Sequence, residues 1–204
     1  CNITNPVARS IHDSATVRPP SHRPREAPRV LIRNETPDDH AAVAEVHRSA
    51  FAPMTPPGRT EPLEVVLVEA LRLSGAWIDE LSFVAEDDDG AVIGHVCLTR
   101  AAVGETAVLA AGPLGVRSEV QAQGTGSALI LAALGAADAL GERLVALLGH
   151  KDYYPRFGFV PGSEVGIVPD VAEWSGDSFM VRTLGAYTPD VRGEFHYARP
   201  FYVL

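Results

Sequence analysis

Two early segments of the chain carry apolar residues at the three- and four-residue spacing of an amphipathic helix. The first follows Thr36-Pro37-Asp38-Asp39. That run is typical of a helix start, because a capping threonine, an early proline and acidic residues all favour the positive helix end. The second runs from about Glu61 to Leu73, and its predicted buried face comprises Leu63, Val66, Leu67, Ala70 and Leu71. We therefore predict two helices, preceded by a short strand over Val30–Glu35.

Apolar runs then predict three consecutive strands, Leu81–Glu86, Ala91–Arg100 and Thr106–Val116. The run Asp87-Asp88-Asp89-Gly90 joins the first two as a hairpin turn. Proline lacks the N–H donor that a strand ladder needs. Gly112-Pro113 therefore predicts a bulge or a parting of strands within the third strand.

The later chain alternates loop, helix and strand. In order, it predicts a Gly/Gln loop, an apolar helix, a buried strand, a short helix and two further strands: Val120–Gly126, Ser127–Leu140, Arg143–Leu148, Asp152–Gly158, Phe159-Val160 and Ser178–Leu184. The aromatic segment Tyr197–Leu204 is expected to be a strand packed on the core, with a dimer surface or a substrate lid as the alternatives. The strand–loop–helix–strand unit predicts two parallel strands within a mixed α/β domain.

Composition limits the class of protein. The chain has 204 residues, 46% of them apolar and 21% charged. Collagen-like, coiled-coil and wholly disordered chains are excluded, and no stretch approaches the ~20 apolar residues of a membrane helix. Residues 1–28 hold five prolines and no apolar period, which predicts a disordered tail. We predict one folded domain over residues 29–204.

Charge limits the classes of partner that we expect, and cysteine content indicates the cellular compartment. The tail carries four arginines and two acids, a net +2, so the −9 of the whole chain leaves −11 on residues 29–204. Such an acidic chain binds nucleic acid poorly and favours cationic partners. Cys1 and Cys97 cannot form a disulfide framework and fit a reducing compartment. Because the sequence starts at Cys1, a lipid-anchored, secreted binding domain is kept as a competing hypothesis.

Metal chemistry is not expected. His40 and His47 share one helix face, but no third ligand accompanies them. The run Asp87–Gly90 lacks the later glycine and glutamate of a calcium loop. We predict no metal site.

The loop Gln121-Ala122-Gln123-Gly124-Thr125-Gly126 joins a strand to an apolar helix. Its glycines let backbone N–H groups approach a ligand, and the helix start favours anions. A dinucleotide fingerprint is incomplete because Leu129 occupies its third glycine position, and a P-loop would need a lysine. The pattern Gln-x-x-Gly-x-Gly remains as a pyrophosphate loop, with a plain turn as the alternative.

One helix and one strand further on lies Tyr154-Pro155-Arg156-Phe157-Gly158-Phe159, which has the form Tyr-x-x-x-Gly-Phe. This motif, together with the loop, resembles the GNAT family of acetyl-CoA-dependent N-acetyltransferases. The stretches Gly112–Val116, Tyr153-Tyr154 and Phe195–Phe201 resemble a bacterial subgroup of that family. The resemblance implies a twisted mixed sheet with antiparallel N-terminal strands, a parallel βαβ unit whose strands splay apart, and helices on both faces.

The resemblance also implies site residues. Backbone groups of Leu114, Gly115 and Val116 would hold the pantetheine arm, and amides near Val116 would stabilise the oxyanion. The pyrophosphate would lie on Gln121, Ala122, Gln123, Gly124, Thr125, Gly126 and Ser127. Tyr154 would protonate the departing thiolate, since a free phenol has a pKa of ~10. The chain departs from the family at Ala122 and Gln123, where glycine and a basic residue are frequent, and lacks a recognisable Asn upstream of the tyrosine.

The implied activity is acetyl transfer from acetyl-CoA to a primary amine of a small molecule or protein, by direct attack in a ternary complex in the cytoplasm. A catalytically inactive acyl-CoA-binding module is the alternative. The amine must lose a proton, and no single base stands out among five candidates: Glu61, Glu64, Glu86, His95 and His150. We expect a cationic acceptor, no nucleic-acid or membrane partner, and a homodimer as one option for assembly.

Overall fold

A nine-stranded mixed sheet forms the centre of the computed structural model, which describes residues 29–203. The predicted tail, residues 1–28, lies outside the described residues. The strands are β1 Leu31–Asn34, β2 Ser82–Glu86, β3 Val92–Val103, β4 Thr106–Val116, β5 Leu144–Leu148, β6 Val160–Pro161, β7 Ile167–Pro169, β8 Phe179–Thr183 and β9 Gly193–His196. The α-helices are α1 His40–Phe51, α2 Leu63–Arg72, α3 Thr125–Ala139 and α4 Pro200–Val203.

The strand order confirms the predicted mixed sheet. It runs β1-β2-β3-β4-β5-β8-β6, and β9 pairs with β3 and β7. The pairs β4–β5 and β7–β9 are parallel, and the other recorded pairs are antiparallel. A helix must cross between two parallel neighbours, and α3 does so between β4 and β5. The predicted βαβ unit is therefore confirmed.

Helices cover both faces of the sheet. Phe83 and Ala85 of β2 pack with Leu129 and Ile130 of α3. Val84 lies between them in sequence and packs on the opposite face against α1 and α2. This alternation follows from the two-residue period of a strand, which sends successive side chains to opposite faces. The two helix layers place α3 on one side of β4 and the α1–α2 pair on the other.

The first helix starts where its sequence predicts. The Thr36 and Asp39 side chains form a capping box, and Pro37–Asp39 make one 3₁₀ turn ahead of α1. Arg33 also bonds the Asp39 carboxylate at 2.7 Å. These contacts connect the start of α1 to β1 and so fix the orientation of the helix relative to the sheet.

The predicted buried face of the second helix is only partly correct. Leu71 is buried as predicted, but Val66 is 39% exposed, and Val65 and Val68 are buried in its place. Leu67 instead lines the large cavity described below. The buried face of α2 is rotated relative to the predicted one, because the helix packs against α1 on one side and borders that cavity on another.

The C-terminal strand prediction is also wrong. Pro200 begins the short helix α4, in keeping with the preference of proline for a first helical position. The Tyr202 hydroxyl accepts a hydrogen bond from the Tyr197 N–H at 2.8 Å and lies 2.9 Å from the Asp170 carboxylate. These two contacts of the Tyr202 hydroxyl hold the end of the chain beside β7 and β9. The sequence pattern did not indicate these two short strands.

Two further findings concern residues 29–203. No helix there is long and apolar enough to span a membrane. Nor does that part of the chain bring together three or more His, Cys, Asp or Glu side chains in a group that could hold a metal ion. The absence of a metal from the working protein stays a prediction.

Candidate active site

β4 and β5 part from each other midway along their length. They pair at Leu109–Val145 and Ala110–Ala146. Beyond these rungs β4 stays paired with β3, and β5 stays paired with β8. The described residues supply no further rung between the two strands, so backbone groups on this edge of β4 lack strand partners. The splayed strands implied by the resemblance are confirmed.

A bulge marks the point of parting. Gly112 and Pro113 together stand opposite Cys97, because the β3–β4 pairing passes from Leu98–Ala111 to Val96–Leu114. Gly112 has a φ of 135°, which glycine adopts without steric cost. The Cys97 thiol donates to the Gly112 carbonyl at 3.3 Å, and its burial raises its pKa. The predicted bulge is confirmed, and Cys97 is a fully buried strand residue.

The glycine loop turns sharply into α3. Ala122 and Gly124 have φ values of 60° and 95°, both in the left-handed region. The Gln121 side-chain amide donates to the Val116 carbonyl at 2.9 Å and ties the loop back to β4. The first N–H groups of a helix have no intrahelical acceptor, and its dipole is positive there. The start of α3 thus presents free donors and a positive field at the cavity.

Tyr153 reaches the same place from the other side. Its hydroxyl lies 3.5 Å from Ser127 Oγ, and a Cβ added at Gly126 would lie 3.0 Å from that hydroxyl. Arg156 lies over the Tyr153 ring, 4.7 Å from its centroid. Tyr153 and Arg156 both lie in the wall of the cavity. The glycine at position 126 makes this close approach feasible.

Tyr154 also lines this cavity. Its ring packs against Phe159 at 5.6 Å and against Tyr153 at 5.1 Å, edge to face in both cases. Burial, with a smaller contribution from Tyr153, raises the pKa of Tyr154 to about 12. The phenol therefore stays protonated at neutral pH and can act as a proton donor.

One large cavity joins these features. Its volume is about 1050 Å³, and it extends from the glycine loop along β4 to the α1–α2 side. Apolar side chains from three parts of the chain form that second end: Phe51, Met54, Leu67, Tyr197 and Phe201. Among the described residues that line the cavity, Glu64 is the one carboxylate. The cavity is therefore polar and amide-rich at one end and apolar with a single acid at the other.

Most of the predicted site residues line this cavity: Leu114, Val116, Gln121, Ala122, Gly124, Thr125, Gly126, Ser127 and Tyr154. Gly115 and Gln123 are not among its lining residues. Gly115 instead faces His47 of α1. The functional roles assigned to all of these residues remain predictions.

The five candidate bases differ in whether they line the cavity, form an ion pair or are buried. Glu64 and His150 line the cavity. Glu61 is paired with Arg48, and Glu86 with Arg33. His95 is fully buried on the interior strand β3, in contact with His47. Glu64 and His150 are therefore the two candidates whose position allows contact with an amine in the cavity.

Comparison with known proteins agrees with this geometry. Residues 79–161 match the family model described as an acetyltransferase (GNAT) domain. The chain is 33% identical to Escherichia coli K12 "Uncharacterized N-acetyltransferase YhbS" over 132 residues, which are 64% of this chain and 73% of that protein. The chain belongs to the GNAT family of N-acetyltransferases.

Solved GNAT structures share its architecture. The E. coli YhbS structure, in complex with CoA, superposes with a TM-score of 0.77 at 27% identity, over 89% of this chain and 96% of that one. A GNAT acetyltransferase from Brucella melitensis, in complex with acetyl-CoA, gives a TM-score of 0.66 at 30% identity, over 85% of this chain and 98% of that one. The predicted fold class and the GNAT resemblance are confirmed.

Proposed function

We propose that this chain transfers the acetyl group of acetyl-CoA to a primary amine on a small molecule or a protein, by direct attack of the amine on the thioester. The observation that carries the proposal is one continuous cavity. It begins at the glycine loop, follows the unpaired edge of β4 and ends beside Glu64. A long anionic cofactor and an amine can therefore lie in the same cavity.

The cofactor end fits a pyrophosphate group. Backbone N–H groups of the loop and of the first turn of α3, from Gln121 to Ser127, are the proposed donors. This suits a domain with an expected charge of −11, because amide dipoles bind anions without lysine. Arg156 is the added cation, and Tyr153 supports the loop through Ser127. GNAT relatives crystallised with CoA or acetyl-CoA support the same cofactor here.

The unpaired edge of β4 fits the pantetheine arm. Backbone groups of Leu114–Val116 would bond its amides as a neighbouring strand would. The N–H groups near Val116 would polarise the thioester carbonyl and stabilise the oxyanion that forms when the amine attacks. Bound acetyl-CoA would supply the activated acetyl group. Side chains of the protein would protonate the leaving thiolate and bind the acceptor.

Tyr154 is the proposed acid. Burial raises its pKa to about 12, so the phenol holds a proton for the leaving thiolate. Glu64 is the proposed anchor for the acceptor ammonium, because it lies at the end of the cavity opposite the glycine loop. Phe51, Met54 and Phe201 would then surround the apolar body of the amine.

The test is thiol release from acetyl-CoA over a panel of primary amines, with acetylated product identified by mass spectrometry. We expect turnover with amines that carry an apolar group. Tight acetyl-CoA binding without turnover on any amine would refute the enzymatic function. A structure with coenzyme A whose pyrophosphate lies away from Gln121–Gly126 would refute the assigned cofactor site.

Several expectations accompany the proposal. A cytoplasmic location is expected because acetyl-CoA is available there. The absence of metal, nucleic-acid and membrane partners, and the formation of a homodimer, stay predictions. The tail and domain limits, residues 1–28 and 29–204, also stay predictions.

A further inference from the structure

The C-terminal segment of the chain forms one wall of the cavity. Tyr197 and Phe201 both line it, and their ring centroids lie 4.8 Å apart. Tyr197 is 7% exposed, whereas Phe201 is half-buried and so keeps an open face. The helix α4, which carries Phe201, lies next to α2, the helix that carries Glu64. Two aromatic rings therefore stand beside the proposed anchor for the acceptor ammonium.

Tyr202 holds this wall in place from the side away from the cavity. Its hydroxyl accepts a hydrogen bond from the Tyr197 N–H at 2.8 Å and donates to the Asp170 carboxylate, 3.0 Å from Oδ1 and 2.9 Å from Oδ2. Burial and this carboxylate raise the pKa of Tyr202 to about 12, so the phenol keeps the proton that it donates. Trp174 stacks on the Tyr202 ring at 5.3 Å. Since neighbours on a helix point in different directions, fixing Tyr202 turns Phe201 toward the cavity.

Asp170 is itself attached to the sheet. It follows β7, which pairs in parallel with β9. Its N–H donates to the Phe195 carbonyl at 3.2 Å, and His196 Nδ1 lies 2.9 Å from its Oδ2. The point that holds Tyr202 therefore belongs to the sheet, so the position of the wall does not depend on the chain end alone.

The remaining lining residues limit the chemistry of the acceptor. Among the described residues that line the cavity, Glu64 is the one carboxylate. An amine with several ammonium groups would leave all but one of them without a counter-ion against Phe51, Met54 and Leu67, which is costly. Aromatic rings instead pack favourably on other aromatic rings, edge to face or offset. This end of the cavity thus fits one ammonium joined to a flat apolar body.

We propose that the acceptor is a small arylalkyl monoamine whose ring packs on Phe201 and Tyr197 while its ammonium lies at Glu64, and that Tyr202 and Asp170 are positioning residues for this wall. The inference rests on the proposed function and deepens it by naming the class of amine. The C-terminal segment then selects the acceptor, whereas the glycine loop, β4 and Tyr154 serve the cofactor and the transfer step.

The first test uses wild-type protein and three probes, phenylethylamine, ethylamine and putrescine, at saturating acetyl-CoA. Ethylamine has the same ammonium without the ring, and putrescine places a second ammonium where the ring would lie. We expect kcat/KM for phenylethylamine to exceed the values for the other two by about tenfold or more, because ring burial is favourable and burial of an unpaired charge is not.

The second test assigns the preference to the wall. Phe201→Ala should raise the KM for phenylethylamine by about tenfold and leave the KM values for ethylamine and acetyl-CoA unchanged. Tyr202→Phe keeps the ring but loses both hydrogen bonds, and should raise the KM for phenylethylamine by about fivefold. The double variant should show no more than the Phe201→Ala effect, because a positioning residue acts through the ring that it positions.

Matched variants control for a general structural defect. Tyr187→Phe removes a hydroxyl that donates to the Val191 carbonyl at 3.4 Å outside the cavity lining, and should change none of these constants. Asp170→Asn keeps an oxygen that accepts from Tyr202 and should restore the wild-type KM, whereas Asp170→Ala should match Tyr202→Phe. Should Phe201→Ala not fold, Phe201→Leu takes its place, since it keeps an apolar side chain but lacks the ring.

The outcomes distinguish the two proposals. Wild-type protein that acetylates no amine of the whole panel refutes the proposed function and this inference with it. Wild-type protein that is active in the panel but does not prefer phenylethylamine to ethylamine and putrescine refutes the inference alone. Phe201 variants that keep the wild-type preference, or additive effects in the double variant, remove the C-terminal segment from acceptor selection.

Discussion

Tyr154 lies so close to Gly149 that a Cβ at position 149 would be 2.2 Å from Tyr154 Cε2 and 2.6 Å from its Cδ2. Real Cβ atoms do not approach a ring this closely, so any side chain at position 149 must displace the tyrosine. The glycine that follows β5 therefore sets the position of the proposed proton donor.

Gly149→Ala should lower kcat by at least tenfold, because even a small displacement of a catalytic group is costly. Gly135→Ala is the matched control. Gly135 is an exposed position within α3 where an added Cβ meets nothing within 4 Å. There the same change should raise the free energy of unfolding by about 1 kcal/mol and leave kcat unchanged. Equal activity of the two variants would contradict the close packing of Tyr154.

Substitution of Tyr154 should lower mainly kcat, whereas substitution of Tyr153 should raise mainly the KM for acetyl-CoA. Tyr154→Phe removes the proposed proton donor and should lower kcat by about 100-fold with little change in the KM for acetyl-CoA. Tyr153→Phe removes a hydroxyl that lies beside Ser127 on the glycine loop. Its main effect should be a rise of about fivefold in the KM for acetyl-CoA, as expected for one hydrogen bond. Full turnover with normal cofactor affinity in Tyr154→Phe would remove it from the mechanism.

Glu64 should control the affinity for cationic acceptors. Glu64→Gln keeps the shape of the side chain but removes the negative charge, so the KM of a cationic amine should rise several-fold. Salt should raise the wild-type KM as well, because ions screen a partly exposed charge. In the variant this salt dependence should weaken. A KM that ignores both the substitution and the salt concentration would exclude an ionic role for Glu64.

Folding stability should fall on acidification. Burial lowers the pKa of both His47 and His95, so below pH ~6.5 the unfolded chain binds protons that the folded protein does not. Each histidine then removes up to about 1.4 kcal/mol of stability per pH unit. Glu35, with a pKa lowered from 4.5 to about 2, acts in the same direction below pH 4.5.

Denaturant titrations across this pH range would measure how the free energy of unfolding changes per pH unit. His95→Gln removes one of the two histidines and should reduce the slope between pH 6.5 and 4.5, although the variant starts from lower stability. A wild-type stability that is flat or rises on acidification in that interval would contradict neutral, buried imidazoles.

The sequence predicted those parts of the site whose chemistry is local. The bulge at Gly112-Pro113 follows from the missing proline N–H, and the loop before α3 follows from closely spaced glycines. In both cases neighbouring residues impose the geometry, so a short stretch of sequence suffices. Tyr154 was instead predicted from the resemblance of its Tyr-x-x-x-Gly-Phe motif to the GNAT family, and it lines the cavity.

The parts that the sequence did not predict depend on contacts between distant residues. His47 and His95 are 48 positions apart and Glu35 and His95 are 60 apart, so no local spacing reports their alignment. Tyr197 and Phe201 reach the cavity because a helical turn and the Tyr202–Asp170 contact hold the chain end in place. Their aromatic pattern alone was equally typical of a strand.

The bulge opposite Cys97 also decides which side chains of β4 face which helix layer. Leu109 and Ala111 pack toward α3 before it, and Leu114 and Val116 do so after it. In an uninterrupted two-residue alternation, Leu114 and Val116 would face α1, where Gly115 now leaves room for His47. Deletion of Pro113 would therefore leave Gly112 alone opposite Cys97 and keep Leu114 and Val116 on the α3 side. One residue added after Pro113 would instead exchange the two faces of the strand beyond it and bring a side chain into the space that His47 occupies.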